Sequence, residues 1–99
     1  MKAYAYASGL VEIGRRVPKG ALPLLIEGSR KKLTDFLEVV CRHGYATEVI
    51  DGRTQKKPGT ECLLVPGVPE APNPQAALDA LCSFCDWIKP QAASHGLAA

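Results

Sequence analysis

The chain has 99 residues, 46% of them apolar, and a formal net charge of +2 at neutral pH. That length supports one domain with a single modest core, and the apolar fraction is too high for a disordered chain. The charge argues against a protein that holds nucleic acid mainly through phosphates, and its sign is wrong for a DNA mimic.

Met1-Lys2-Ala3-Tyr4 passes straight into alternation, without the long apolar core of a signal peptide, and no apolar run is long enough to span a membrane. A cytoplasmic protein with no membrane partner is therefore expected. Residues 2–14 read as a β-hairpin: Ala3 to Ala7 alternate, Ser8-Gly9 is a turn dipeptide, and Leu10 to Ile13 alternate again. Parity puts Tyr4 and Tyr6 on one face and the small alanines on the other, where a helix can approach closely. The hairpin also offers an exposed strand edge for a homodimer. Arg15-Arg16-Val17-Pro18-Lys19-Gly20 is a basic loop. Leu22 to Ile26 is a third strand, placed at an edge because Pro23 cannot donate to a ladder.

Ser29 is the expected N-cap of a first helix, with Leu33, Phe36, Leu37, Val40 and Cys41 as its buried stripe and Gly44 just past its C-cap. Thr47 to Ile50 suggests a short strand and Asp51-Gly52 a turn, while Arg53 to Gly59 reads as a mobile, solvated loop. A further strand follows at Glu61 to Val65, then a proline-rich connector. Asn73 as N-cap and Pro74 at the first helical position start a second helix. Its expected stripe is Leu78, Leu81, Cys82, Cys85 and Ile88, widened by Ala77, Phe84 and Trp87, and Pro90 ends it. The sum is an α+β fold: a small, mostly antiparallel sheet with two helices packed on one face. One compact domain is expected over residues 1–90, with 91–99 as a flexible C-terminal tail.

Motifs for chemistry are sparse. Cys82-Ser83-Phe84-Cys85 has CxxC spacing, but it lies in mid-helix on the apolar stripe, not at a helix start where the dipole would activate a thiol. Cys41, Cys62, Cys82 and Cys85 are therefore expected to be packed thiols, with no metal and no cofactor. His43 and His95 have no serine elbow or second histidine placed to build a nucleophilic site, and no glycine-rich phosphate loop is present. No catalytic residue is assigned, and no enzyme is expected.

One feature departs from a plain solvated surface. Arg30-Lys31-Lys32 fills the first turn of a helix whose dipole favours acids there. Gly28 to Lys32, with Ser29 and the three cations, is thus a candidate anion or acidic-surface site, with Arg15, Arg16 and Lys19 available to extend it. Trp87 is the natural anchor for a protein partner if it is exposed.

Three segments resemble a known group when taken together: Lys2 to Gly9, Gly14 to Pro23 and Leu63 to Ala71. With Ala77-Leu78-Asp79-Ala80-Leu81, they resemble small proteins of tailed phages and prophages known as host-nuclease inhibitors. The resemblance covers most of the chain apart from residues 45–60 and the tail. It implies a phage-encoded, non-enzymatic protein that acts in counter-defence by protein-protein interaction. The implied partner is a host nuclease, such as a RecBCD-type exonuclease, or a related defence complex in the bacterial host cell. The family supplies no catalytic motif, so no residue role comes with it. The near-neutral charge favours wedging against a protein surface over imitation of DNA. Two other readings stand beside it: a phosphate- or nucleotide-binding module at the first helix start, and a small accessory protein that binds nucleic acid directly.

Overall fold

The computed structural model describes residues 1–97. Its elements run β1 (Lys2–Ala5), β2 (Leu10–Gly14), β3 (Leu22–Glu27), α1 (Arg30–Val40), β4 (Arg42–Ile50), β5 (Arg53–Leu64) and α2 (Pro74–Ser94). The strands pair antiparallel in one five-stranded sheet of order β3-β1-β2-β5-β4, and with the two helices this is the expected α+β fold. Neither helix is long and apolar enough to cross a membrane.

The alternation in β1 decides the layering. Ala3 and Ala5 are fully buried in the core with Leu24 and Ile26 of β3, Leu33 and Leu37 of α1, and Leu81 and Ile88 of α2. Successive side chains point to opposite sheet faces, so Tyr4 and Tyr6 lie on the face away from that core. Their rings meet edge-on at 6.0 Å. β2 and β3 flank β1 on opposite sides and both run antiparallel to it, so residues 15–21 must carry the chain across β1. Val17 in that crossover sits in a recess with Lys2, Pro23, Leu25 and Glu27. The hairpin edges expected to be free for dimerisation are therefore used: β1 and β2 are interior strands, and β3 and β4 are the outer ones.

β3 is an edge strand, as Pro23 requires, and it carries a bulge. Between the pairs Tyr4↔Pro23 and Lys2↔Glu27 the register shifts, and Leu25 takes φ 59° there. Positive φ is costly for a branched side chain; it falls where β3 takes up two residues more than β1, and the alternation survives, with Leu24 and Ile26 in the core and Leu25 outward.

Both helix starts follow their local signals. Ser29 Oγ accepts from the Lys32 N–H at 3.2 Å, and Asn73 Oδ1 accepts from the Ala76 N–H at 2.8 Å. The ends do not follow. α1 stops at Val40, where Cys41 turns extended while its N–H still donates to Leu37 O at 2.8 Å. Gly44 is not a helix cap; it lies in β4 opposite Cys62, and a Cβ there would run into Leu64 Cδ1.

The expected loop at Arg53 to Gly59 is strand. β5 is 12 residues long and pairs with the 9-residue β4 through Ile50↔Arg53, so the two make an arm reaching beyond the core. Asp51 (φ 51°) and Gly52 (φ 75°) both take positive φ, the geometry of a tight hairpin turn. Polar composition hid the strand because an arm without a buried face shows no apolar alternation.

Two further expectations fail on α2. The helix does not end at Pro90 but runs to Ser94, whose Oγ donates to Pro90 O at 3.1 Å. An interior proline costs about 3 kcal/mol. Burial offsets it: Ala92 and Leu97 are in the core, and the His95 ring lies 5.0 Å from Phe36. Residues 91–97 of the expected tail thus complete the fold, while Ala98 and Ala99 lie outside the described residues. The buried stripe is also rotated, to Leu81, Phe84, Ile88 and Ala92, leaving Leu78 48% exposed and Cys82 on the surface. Unfolding by denaturant separates the two stripes. Ile88→Ala is expected to cost about 2–5 kcal/mol through cavity formation, and Leu78→Ala no more than about 1 kcal/mol.

Candidate functional site

The basic segments are gathered by the topology of the sheet. Lys2 pairs with Gly14 on one side and Glu27 on the other, so Arg15-Arg16 and the Ser29–Lys32 helix start leave the sheet at the same end. Lys2 Nζ lies 3.8 Å from Glu27 Oε1 within that group, and all of these side chains are exposed. Lys19 is not part of it. It belongs to the turn closed by Ala21 N–H donating to Pro18 O at 3.1 Å, just before β3 begins opposite Ala5 at the other end of β1. Ser29 is occupied as the N-cap, which leaves Arg30, Lys31 and Lys32 as exposed cations around a helix start with no acid in its first turn.

Trp87 lies elsewhere, in the helix layer. It is 48% exposed, and its ring stacks at a tilt on Phe84 with centroids 6.0 Å apart. Both rings line an open groove of about 390 Å³ with Val40 from the end of α1, Pro66 from the connector, and Ala80 and Ser83. Ala80, Ser83, Phe84 and Trp87 follow an i, i+3, i+4, i+7 spacing, so α2 carries a second stripe beside its core stripe. That spacing is the signal by which sequence could have found the groove. Val40 and Pro66 have no such signal, because only the packing of α1 and the connector brings them there.

The arm carries a third exposed group. Lys56 Nζ stands 5.2 Å from the centroid of the Tyr45 ring, and Val49 and Ile50 are exposed nearby on β4. At the root of the arm Arg42 pairs with Glu70 of the connector.

The thiols are spread across the fold. Cys41 is buried, Cys62 and Cys85 are partly covered, and Cys82 is exposed. Burial pushes the Cys41 thiol up to about 12, and burial is also the main cause that raises Cys62 and Cys85. Burial first, then the Glu12 carboxylate, raises the Tyr4 and Tyr6 hydroxyls. Tyr6 Oη donates to Glu12 Oε2 at 3.3 Å. Among the described residues no group of histidine, cysteine and acidic side chains is placed to hold a metal ion.

No protein-family model, no curated protein and no solved structure matches the chain.

Three outcomes test this geometry. Thiol alkylation followed by mass mapping should modify Cys82 first and Cys41 only on unfolding. Because the folded state holds Cys41 protonated, its contribution to stability is complete below the ordinary thiol value of 9.0 and is lost as pH rises toward about 12. Lys31→Glu should raise stability by about 0.3–1 kcal/mol by suiting the helix dipole. A thermal melt at low salt checks it, and a fall instead would mean that the cation is held by a stabilising contact.

Proposed function

We propose that this chain is a non-enzymatic, phage-encoded protein that binds a host nuclease, or a related defence complex, in the cytoplasm of the bacterial cell and blocks it. The observation that carries the reading is Trp87, half exposed over an apolar groove between the two helices and the connector. Buried aromatic anchors dominate protein interfaces, and a large ring left half in water gains most when a partner covers it. The resemblance of the segments Lys2 to Gly9, Gly14 to Pro23 and Leu63 to Ala71 to phage host-nuclease inhibitors supplies the class of partner. The net charge of +2 supports contact with protein over imitation of DNA.

A second reading is favoured by one observation, the convergence of Arg15 and Arg16 with Arg30–Lys32 at one end of the sheet. In that reading the chain binds a phosphate group, free or on a nucleic acid. Salt separates the two, since phosphate contacts weaken steeply as salt rises and a packed apolar interface does not.

The test is degradation of linear duplex DNA by a purified RecBCD-type exonuclease. Added protein should slow degradation to a plateau near a one-to-one ratio with the enzyme, with little dependence on moderate salt. Trp87→Ala should weaken protection by at least about tenfold in the concentration required, equivalent to about 1.4 kcal/mol. If degradation is unchanged at large excess, this target class is wrong. If protection follows DNA coating and disappears with salt, the second reading takes its place.

A further inference from the structure

The two outer strands of the sheet are built differently. β3 is blunted as a pairing edge, because Pro23 lacks an N–H and the bulge at Leu25 breaks its regular line. β4 has neither device. It spans nine residues without a proline, its backbone has negative φ throughout, and its main packing partner is β5 on one side. The extra residues in the β4–β5 register shift, around Pro58 and Gly59, belong to β5, so β4 itself stays regular. An open edge of that length offers a row of backbone donors and acceptors to another strand. Val49, 72% exposed, and Tyr45 lie along it.

We infer that β4 pairs antiparallel with β4 of a second copy of this chain, about a twofold axis at Tyr45. A strand that pairs with itself must be complementary to its own reversal, and this register satisfies that condition. With Tyr45 opposite Tyr45 of the second copy, Arg42 falls opposite Glu48 and Glu48 opposite Arg42. His43 then meets Thr47 and Gly44 meets Ala46. Opposed residues in an antiparallel pair project to the same face, so each Arg42–Glu48 couple is a neighbour pair, with Arg42 sharing its guanidinium between Glu70 of its own chain and Glu48 of the second copy, and no like charges meet. Moving the axis by one residue, to Ala46, would place Arg42 opposite Ile50 and Glu48 opposite Gly44 and lose both couples. The two tyrosines at the axis form an aromatic pair, with Lys56 of each chain already over its own Tyr45 ring. The interface joins the two sheets into one and closes on itself, so assembly stops at two chains. It uses different residues from the Trp87 groove and does not depend on the proposed nuclease target.

Light scattering over a wide dilution series should give the mass of two chains for the wild type, and Glu48→Arg should reduce it to that of one with its circular dichroism unchanged. Disulfide trapping fixes the register, in a Cys82→Ser background because Cys82 is the exposed native thiol. Tyr45→Cys should cross-link to its counterpart, since directly opposed Cα atoms lie about 4.5–5.5 Å apart, within disulfide reach. Ile50→Cys should not cross-link, because its counterpart is ten positions along the paired strands, roughly 33 Å away. A monomer at every concentration overturns the inference. So does a dimer indifferent to Glu48→Arg, and so does cross-linking at both positions or at neither.

Discussion

The fold depends on burying the alanine face of β1 under a helix layer in which α1 lies against β2 and α2 against β3. Ala3 and Ala5 are at most 1% exposed, and the leucines and isoleucine of both helices converge on the same cluster. Larger side chains there would lift the helix layer, with an overpacking cost of about 1–3 kcal/mol. β1 is also hydrogen-bonded on both edges, by β2 and by β3. A strand of four residues therefore organises the sheet, the helix layer and the crossover of residues 15–21.

That arrangement sets where the surface chemistry can be. Because β2 and β3 run alike on either side of β1, the segments that follow them emerge together and bring Arg15, Arg16 and Arg30 to Lys32 to one end. The helix start there carries cations where the dipole favours acids, a local cost that the fold tolerates. The half-exposed Trp87 is a different case. Its helix satisfies the core with one stripe and leaves a second against α1 and the connector, so the ring is held by Phe84 but not covered.

The molecule divides into a packed half and an arm. The core residues come from β1, β2, β3, the two helices, the segment after β5, Cys41 after α1 and Leu97 after α2, whereas the far part of the β4–β5 hairpin contributes none. A two-stranded ribbon without a buried face is only marginally stable alone. Here it is anchored by its root in the sheet and by the Arg42–Glu70 pair, and its tip is shaped by Asp51 and Gly52. The structure is 44 Å along its longest axis against 28 and 25 Å for the others. A large share of exposed edge is the consequence.

The sequence by itself determined what depends on near neighbours in the chain. The alternation of Ala3 to Ala5, the caps at Ser29 and Asn73, the stripe of Leu33, Phe36 and Leu37, and the edge position required by Pro23 are all local chemistry, and all appear in the structure, although the strand stops at Ala5 and Ala7 falls in the turn. So does the α+β class, which follows from the order and type of those elements. Tertiary structure alone decided the rest. Arg53 to Gly59 became strand because Thr47 to Ile50 paired with it, a gain that no apolar pattern within the segment announces. Pro90 stayed inside α2 because Ala92 and Leu97 gained burial against distant residues, outweighing a local preference to stop. Gly44 serves close contact with Leu64 and not a helix end, and the stripe of α2 turned away from Leu78 because the sheet set which face was covered. Of the candidate site residues, the exposed Trp87 and the exposed cations were legible as residue types. Their separation into a helix groove and one end of the sheet, with Lys19 apart from both, follows from strand order and crossover, which depend on contacts between segments far apart in the chain.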